Sequence, residues 1–311
     1  MAACSGRMLR DASRYNKMQT EHWSASESAS RAVQEYLDTL DDAAFGGATT
    51  VQPKTLSPSD PAARFTGANG DRPFFAYSTN YLVDLEHAII VDVEATAPVR
   101  QAEVGSVRNM ILRTEDTFGL HPETLVADTA YGAGEMLGWL VDEQGIDPHI
   151  PVFDKTERSD GAFPATAFSF DPEANEYTCP GGKKLKKYWR QQRTGVCKDG
   201  ATRYYASKHD CSACVLKAKC TPNVEARRIA RHKHEDARDY ARQLAKTDAY
   251  AASGYARKKV EMLFAHLKRI MRLDRLRLRG PNGAKDEFLL AATVQNLRKL
   301  AKLLPMTPEG A

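Results

Sequence analysis

The stretch Thr124-Leu125-Val126-Ala127-Asp128-Thr129-Ala130-Tyr131-Gly132 runs from a short apolar segment to an acid and then into a turn. An apolar run of this length with Tyr-Gly behind it reads as a buried strand ending at Asp128. Met136, Leu137, Leu140 and Val141 follow at helical spacing, so strand, turn and helix is the simplest account of 124–141. Open α/β sheets build their sites beyond the carboxyl ends of strands, which makes Asp128 a candidate for chemistry; an Asp there also suits the cap of the next helix.

Residues 101–118 carry Val104, Val107, Ile111 and Phe118 at mostly helical spacing, with Gly119 as a stop. Before them, Phe74–Thr96 is rich in aromatic and β-branched residues and is broken by the polar step Leu85-Glu86, which predicts a hairpin. Ile146–Phe153 predicts another short strand, which Pro148 and Pro151 keep from a well-paired central place. From 154 to 229 the chain is polar and rich in Gly and Lys, with strand-like pieces at Phe168–Phe170 and Tyr204-Tyr205, and it reads as an insertion. Helices are predicted over 237–246, 257–271 and 288–304, with Gly280-Pro281-Asn282-Gly283 as a turn before the last. The order ββ-α-β-α-β, then an insertion, then helices defines an α/β domain. Residues 1–50 are polar, with a single helical period over Ser30–Leu40. Four segments are therefore expected: a weakly structured 1–50, a core over 51–155, the insertion over 156–230, and C-terminal core helices over 231–311.

At 311 residues and 42% apolar composition the chain is long enough to bury a core. It contains no run of eighteen apolar residues and no apolar leader, so a soluble, cytoplasmic protein is expected and a membrane partner is not. Six cysteines in that setting argue against a disulfide framework.

The net charge of +4 is unevenly placed: Gly254 to Lys302 holds thirteen Lys and Arg against four acids. That bias is the footprint of a nucleic-acid surface. Arg257, Lys258, Lys268, Arg269, Arg272, Arg275 and Arg277 are the candidates for phosphate contact. Lys184 and Lys187 join them in Lys183–Arg190, where bases interleave with Tyr188 and Trp189.

Glu261 sits beside the stripe Val260, Leu263, Phe264, Leu267, Ile270 and Met271, where a carboxylate reaches a cleft rather than open solvent. Residue 265 is alanine, so the usual forward i,i+4 ion pair is absent. Cys179, Cys211, Cys214 and Cys220 are spaced C-x31-C-x2-C-x5-C, with Gly181-Gly182 supplying a tight turn. Paired thiolates on turns suit a structural Zn²⁺, with Cys197, His209, His232 or His234 as substitutes; the other reading is four thiols in a reduced compartment.

The segment Val126–Gly132 and the spacing Arg257-x3-Glu261-x6-Lys268 resemble the second and third acidic motifs of bacterial insertion-sequence DDE-type transposases. Further similar stretches are Ser57–Pro61, the hairpin Tyr77–Thr96, His149–Lys155 and the tract Arg257–Leu303, so the resemblance runs from about Ser13 to Leu304. It implies a ribonuclease-H-like mixed sheet flanked by helices, with the cysteine-containing insertion ahead of the last catalytic helix. It also implies DNA cleavage and strand transfer at element ends, using two Mg²⁺ ions, or Mn²⁺, held by three acids. Asp128 and Glu261 take the second and third places. For the first, on a strand before the hairpin, Asp60, Asp84 and Asp92 compete, and order in the chain favours Asp60. DNA is the implied partner, with a homo-oligomer in the DNA complex.

Two departures stand out. The family usually has a tyrosine three residues before the arginine, where this chain has Gly254 with Tyr255 next to it. Relatives carry a larger N-terminal helical region, so a truncated, catalytically inactive relative that only binds DNA is the alternative. His266 is expected on a helix surface without a catalytic role.

Overall fold

A computed structural model of the chain describes residues 1–10, 18–24, 29–47, 49–67, 73–153, 162–187, 201–273 and 275–304. They fall into two compact units, one of 1–131, 145–151 and 244–311, the other of 132–144 and 152–243.

The first unit is built on a seven-stranded mixed sheet. Its longest strand, β5 (Phe74–Val83), is buried at every position after Phe74, as a strand covered on both faces must be. β5 pairs antiparallel with β6 (Ile90–Thr96) and with β1 (Ala2–Arg10). β1 continues parallel to β7 (Thr124–Val126), and β7 parallel to β8 (Asp147–His149). The path is thus β6-β5-β1-β7-β8, with β4 (Arg64–Thr66) also on β5 and β14 (Arg275–Leu276) also on β1. A separate two-stranded ribbon joins β2 (Met18–Gln19) to β3 (Thr55–Leu56).

Alternation along β5 sends side chains to two different neighbours. On one face Tyr77 and Tyr81 join Val93 of β6, Tyr36 of helix α1 (Arg31–Asp38), Val260 and Leu267 of α7 (Asp248–Arg269), and Phe288 and Ala291 of α8 (Gly280–Leu303) in one apolar core. On the other, Ser78 Oγ donates to Glu103 of α2 (Arg100–Phe118), and Arg113 of α2 pairs with Asp92 at 2.9 Å and Glu94 at 2.7 Å. Helix α2 ends at Gly119, whose φ of +64° is the left-handed conformation that the absence of a Cβ permits.

Several elements differ from the expectation. Residues 2–10, expected within a weakly structured segment, form the central strand β1, with Ala2 and Ala3 buried between strands on both sides. The last helix starts at Gly280 rather than near 288: Gly280-Pro281 is its first turn, where a missing proline N–H leaves no hydrogen bond unmade. Gly280 has φ +84°, and a Cβ there would run into the Glu35 carboxylate. Helix α7 likewise begins earlier, because Thr247 caps it by accepting the Tyr250 N–H at 3.2 Å. Ile270, placed in the apolar stripe from the sequence, follows the end of α7 and is 57% exposed.

The second unit begins at Gly132, inside the stretch expected to be core. It holds α3 (Gly134–Gly138) and a five-stranded antiparallel meander of β9 (Ser169–Asp171), β10 (Glu176–Thr178), β11 (Lys184–Lys187), β12 (Ala201–Ala206) and β13 (Arg228–His232). Helices α4 (Lys208–Ser212), α5 (Lys217–Cys220) and α6 (Glu235–Leu244) complete it. Its core is small: Phe168, Tyr177, Leu185, Tyr204, Cys220 and Ile229. Arg231 stacks 3.8 Å over the Phe170 ring and reaches Tyr177 Oη at 3.0 Å, Asp239 at 3.2 Å and Asp236. Among the described residues no helix is long and apolar enough to cross a membrane.

Candidate active site

Asp128 stands two residues past the end of β7 and is exposed. Its Oδ1 accepts the Ala130 N–H at 2.7 Å and its carbonyl the Tyr131 N–H at 3.1 Å, so the short turn behind the strand aims the carboxylate. Glu261 comes from α7, whose buried residues Val260 and Leu267 and partly buried Leu263 and Phe264 seat the helix on the sheet. Arg257, one turn before Glu261, links the two elements: its Nη1 donates to the Ala127 carbonyl at 3.4 Å and its Nε lies 3.5 Å from Glu261 Oε1. The sequence spacing identified Arg257 only as a DNA contact, and this tether to the residue before Asp128 was not foreseen.

β1 and β7 meet in parallel at Ala2 and Val126, and Cys4 and Asp128 each lie two residues further along their own segments. Burial first, then the charges of Glu261 and Asp128, push the Cys4 thiol far above its ordinary pKa, so it is held neutral. Across the sheet Cys4 faces Tyr81, whose ring stacks on Phe264 of α7 with centroids 5.0 Å apart. Cys4, Asp128 and Glu261 therefore belong to one end of the sheet, and Cys4 is the member that the sequence reading missed.

Asp60 lies in the turn between β3 and β4 and is fully buried, accepting a 2.6 Å hydrogen bond from the Tyr77 hydroxyl. Tyr77 pairs with Met8, and stands four residues from Tyr81, the partner of Cys4; along a strand that is about 13 Å. Of the competing acids, Asp84 closes the β5–β6 turn by accepting the Glu86 N–H at 3.2 Å and the His87 N–H at 2.9 Å. Burial raises the Asp84 pKa, but those hydrogen bonds and the His87 ring together lower it on balance. Asp92 is taken up with Arg113 on the α2 face. Among the described residues no group of three or more His, Cys, Asp or Glu side chains is arranged to hold a metal ion.

His149, at the end of β8, bonds Ser253 Oγ of α7 at 2.8 Å and packs its ring 5.4 Å from Tyr250. Burial lowers its pKa. This pair pins the first turns of α7 ahead of Arg257 and Glu261.

Beyond Glu261, Lys258, Lys268, Arg269, Arg272, Arg275 and Arg277 are exposed, Lys258 with its Nζ 5.3 Å from the Tyr255 ring. The Arg277 and Leu278 amides donate to Glu287 at 2.7 and 2.6 Å, which fixes the backbone of this basic segment. In the second unit Lys184 pairs with Glu176 at 3.0 Å and Lys187 is half-buried. Tyr188, Trp189, Arg190 and Cys197 lie outside the described residues. The four remaining cysteines of that unit, all free, line one small cavity. Burial, more than the opposing pull of Arg227, raises the Cys220 pKa, with the other three thiols adding to the rise.

The first unit thus brings two acids to one sheet end and continues from them into a basic helical tract. Residues 178–301, about two fifths of the chain, match the family described as transposase DDE domain. The matched span includes the four cysteines and Glu261 and leaves out Asp60 and Asp128. Neither the curated proteins nor the solved structures contain a match to the chain.

Proposed function

We propose that the protein is a DNA transposase that cleaves DNA at the ends of an insertion sequence and transfers the freed strand, with Asp128 and Glu261 as the central pair of acids. The single observation that carries this reading is the Arg257 tether, from the Ala127 carbonyl to Glu261, with both acids bearing on the same Cys4 thiol. The strand path β6-β5-β1-β7-β8, three antiparallel strands followed by two parallel ones, supports a ribonuclease-H-like arrangement.

The donor set fits a hard divalent cation. Mg²⁺ takes one or two carboxylates and keeps several waters, and the exposed oxygens of Asp128 and Glu261 meet that requirement. When bound, such ions make a water or a DNA 3′-hydroxyl nucleophilic and offset charge at the phosphorus. The chain's own part is to hold the acids still and the DNA close. The Ala130 amide orients Asp128, Arg257 orients Glu261, and the neutral Cys4 thiol is too soft to compete with their oxygens. Lys258, Lys268, Arg269, Arg272, Arg275 and Arg277 meet backbone phosphates, as do Lys184 and Lys187 on their own unit. Asp60, the proposed third acid, is buried and accepts the Tyr77 hydroxyl through Oδ1.

A second reading, an inactive relative that binds DNA without cutting, is favoured by the burial of Asp60 against Tyr77 and by Cys4, not an acid, being the β1 residue that feels the charges of Asp128 and Glu261. Cleavage of branched or element-end DNA with Mg²⁺ or Mn²⁺ separates the two. The enzyme reading expects cutting that is lost in Asp128→Ala, Glu261→Ala and Asp60→Asn. Salt-sensitive DNA binding without cutting, with cleavage gained in Cys4→Asp, is the outcome of the second reading and defeats the first.

A further inference from the structure

We infer that the second unit binds one structural zinc ion between Cys179, Cys211, Cys214 and Cys220, independently of any chemistry at Asp128 and Glu261. The four cysteines come from three separate pieces of chain: the β10–β11 turn, the segment around α4, and α5. All four line a single cavity of about 30 Å³, the space of one water or small ion. Gly181 marks how close two of them are: one point, its added Cβ, is 3.6 Å from both Cys179 Sγ and Cys214 Sγ.

The backbone around the sulfurs has the form that thiolate ligation uses. Cys179 and Lys183 close a tight turn through the Cys179 N–H to the Lys183 carbonyl and the Gly182 N–H to the Cys179 carbonyl, both at 2.8 Å, with Gly182 at φ +73°. The Lys183 N–H then donates to Cys179 Sγ at 3.3 Å, a bond that strengthens when the sulfur is a thiolate. Cys211 and Cys214 form the two-residue-spaced pair, closed by the Cys214 N–H to the Cys211 carbonyl at 3.3 Å. Among the described residues no group of three or more possible ligands is arranged around an ion as placed, so the inferred site requires the side chains to turn until the sulfurs stand at the roughly 2.3 Å that tetrahedral zinc needs.

Charge and folding point the same way. Four thiolates around a dication leave a double negative charge, and the cavity wall adds Lys183, Lys217 and Arg227 against one acid, Asp210. Arg227 is fixed there by a 3.0 Å bond to the Cys220 carbonyl. Helices α4 and α5, of five and four residues, are too short to hold together alone, and the apolar core beside them is small. Soft sulfur ligands select zinc or iron over magnesium, and a closed four-sulfur set with no open position is structural rather than catalytic.

The test uses the full chain expressed in zinc-supplemented medium and purified without chelator. Elemental analysis is expected to give one zinc per chain, retained in Asp128→Ala and Glu261→Ala and lost in the double variant Cys211→Ser, Cys214→Ser. Because that variant risks misfolding, Co²⁺ exchange into the unmutated protein supplies a second readout: thiolate-to-cobalt charge transfer with tetrahedral visible bands. Protein that carries no zinc and gives no such bands overturns the inference, as does iron in place of zinc or a disulfide among the four cysteines. Zinc bound in a protein that cuts no DNA leaves the inference standing while the transposase reading falls.

Discussion

The two units solve the problem of stability by different means. In the first, a sheet covered on both faces buries Tyr77, Tyr81, Leu267 and Phe288 without exposure, and its buried polar side chains, such as Asn80 with Thr96 and Tyr77 with Asp60, are mostly uncharged hydrogen-bond partners within a large apolar core. In the second, six buried side chains form the core, and charged side chains are drawn in beside it: Arg231, paired with the exposed Asp236 and the half-buried Asp239, and Glu235, paired with Arg238 and Arg242. Apolar burial is insensitive to salt and to mild pH change, whereas a half-buried ion network depends on both. The comparison teaches that the acids at Asp128 and Glu261 are carried by the rigid kind of architecture, as positioned carboxylates require, and the cysteines by the kind that gains most from a cross-link.

The largest effect that tests this contrast is in the first core. Leu267→Ala removes a fully buried side chain of α7, and a cavity of that kind costs about 3 kcal/mol. Hydrogen exchange on the full chain should then speed up by roughly a hundredfold for the amides of β1, β5 and β7, with β10–β12 unchanged. Equal acceleration in both sets would mean that the units unfold together and that the contrast is wrong. A smaller effect is expected in the second unit from Arg231→Ala. Removing one partner of a buried ion pair costs about 3–5 kcal/mol, but Asp236 and Asp239 keep much of their hydration, so about 2 kcal/mol is expected. Protection of β12 and β13 should fall roughly thirtyfold, and the wild-type difference should shrink in high salt.

The architecture was legible where a segment's pattern reflects its burial. Phe74–Thr96 announced a hairpin because its aromatic and β-branched residues fill a sheet covered on both sides, and Gly119 announced a helix end because only glycine takes that backbone conformation cheaply. Asp128 after a strand and Glu261 on a long helix could be read from apolar runs beside them. β1 was not legible, since Ala2, Ala3 and Cys4 carry no strand preference and are held by pairing with β5, β7 and β14, contacts remote in sequence. The place of Cys4 within reach of the Asp128 charge was hidden for the same reason. β11 was missed because Lys184-Leu185-Lys186-Lys187 presents one apolar residue, enough for a small core but not for a recognisable alternation. The link from Arg257 to the Ala127 carbonyl spans 130 residues, which no local pattern reports.

The smallest effect concerns the hinge between stability and site geometry, His149. Its buried ring is bonded to Ser253 and its pKa is lowered in the folded chain. As pH falls below about 6.5, the unfolded chain takes up a proton on this imidazole before the folded one does. The stability from neutral His149 is therefore whole above that value and is lost as pH falls through the lowered folded value. His149→Gln keeps a polar partner for Ser253 but cannot titrate, so its stability should change less than that of the wild type between neutral and mildly acid pH. Denaturant midpoints across that range give the comparison, and parallel curves for the two proteins would remove His149 as the acid-sensitive contact. Because Ser253 lies one turn ahead of Arg257 on the same helix, any loosening of this bond reaches Glu261 through α7 itself. The acid-sensitive His149 contact thus meets the helix that carries Glu261 at Ser253, while the apolar core stays indifferent to pH.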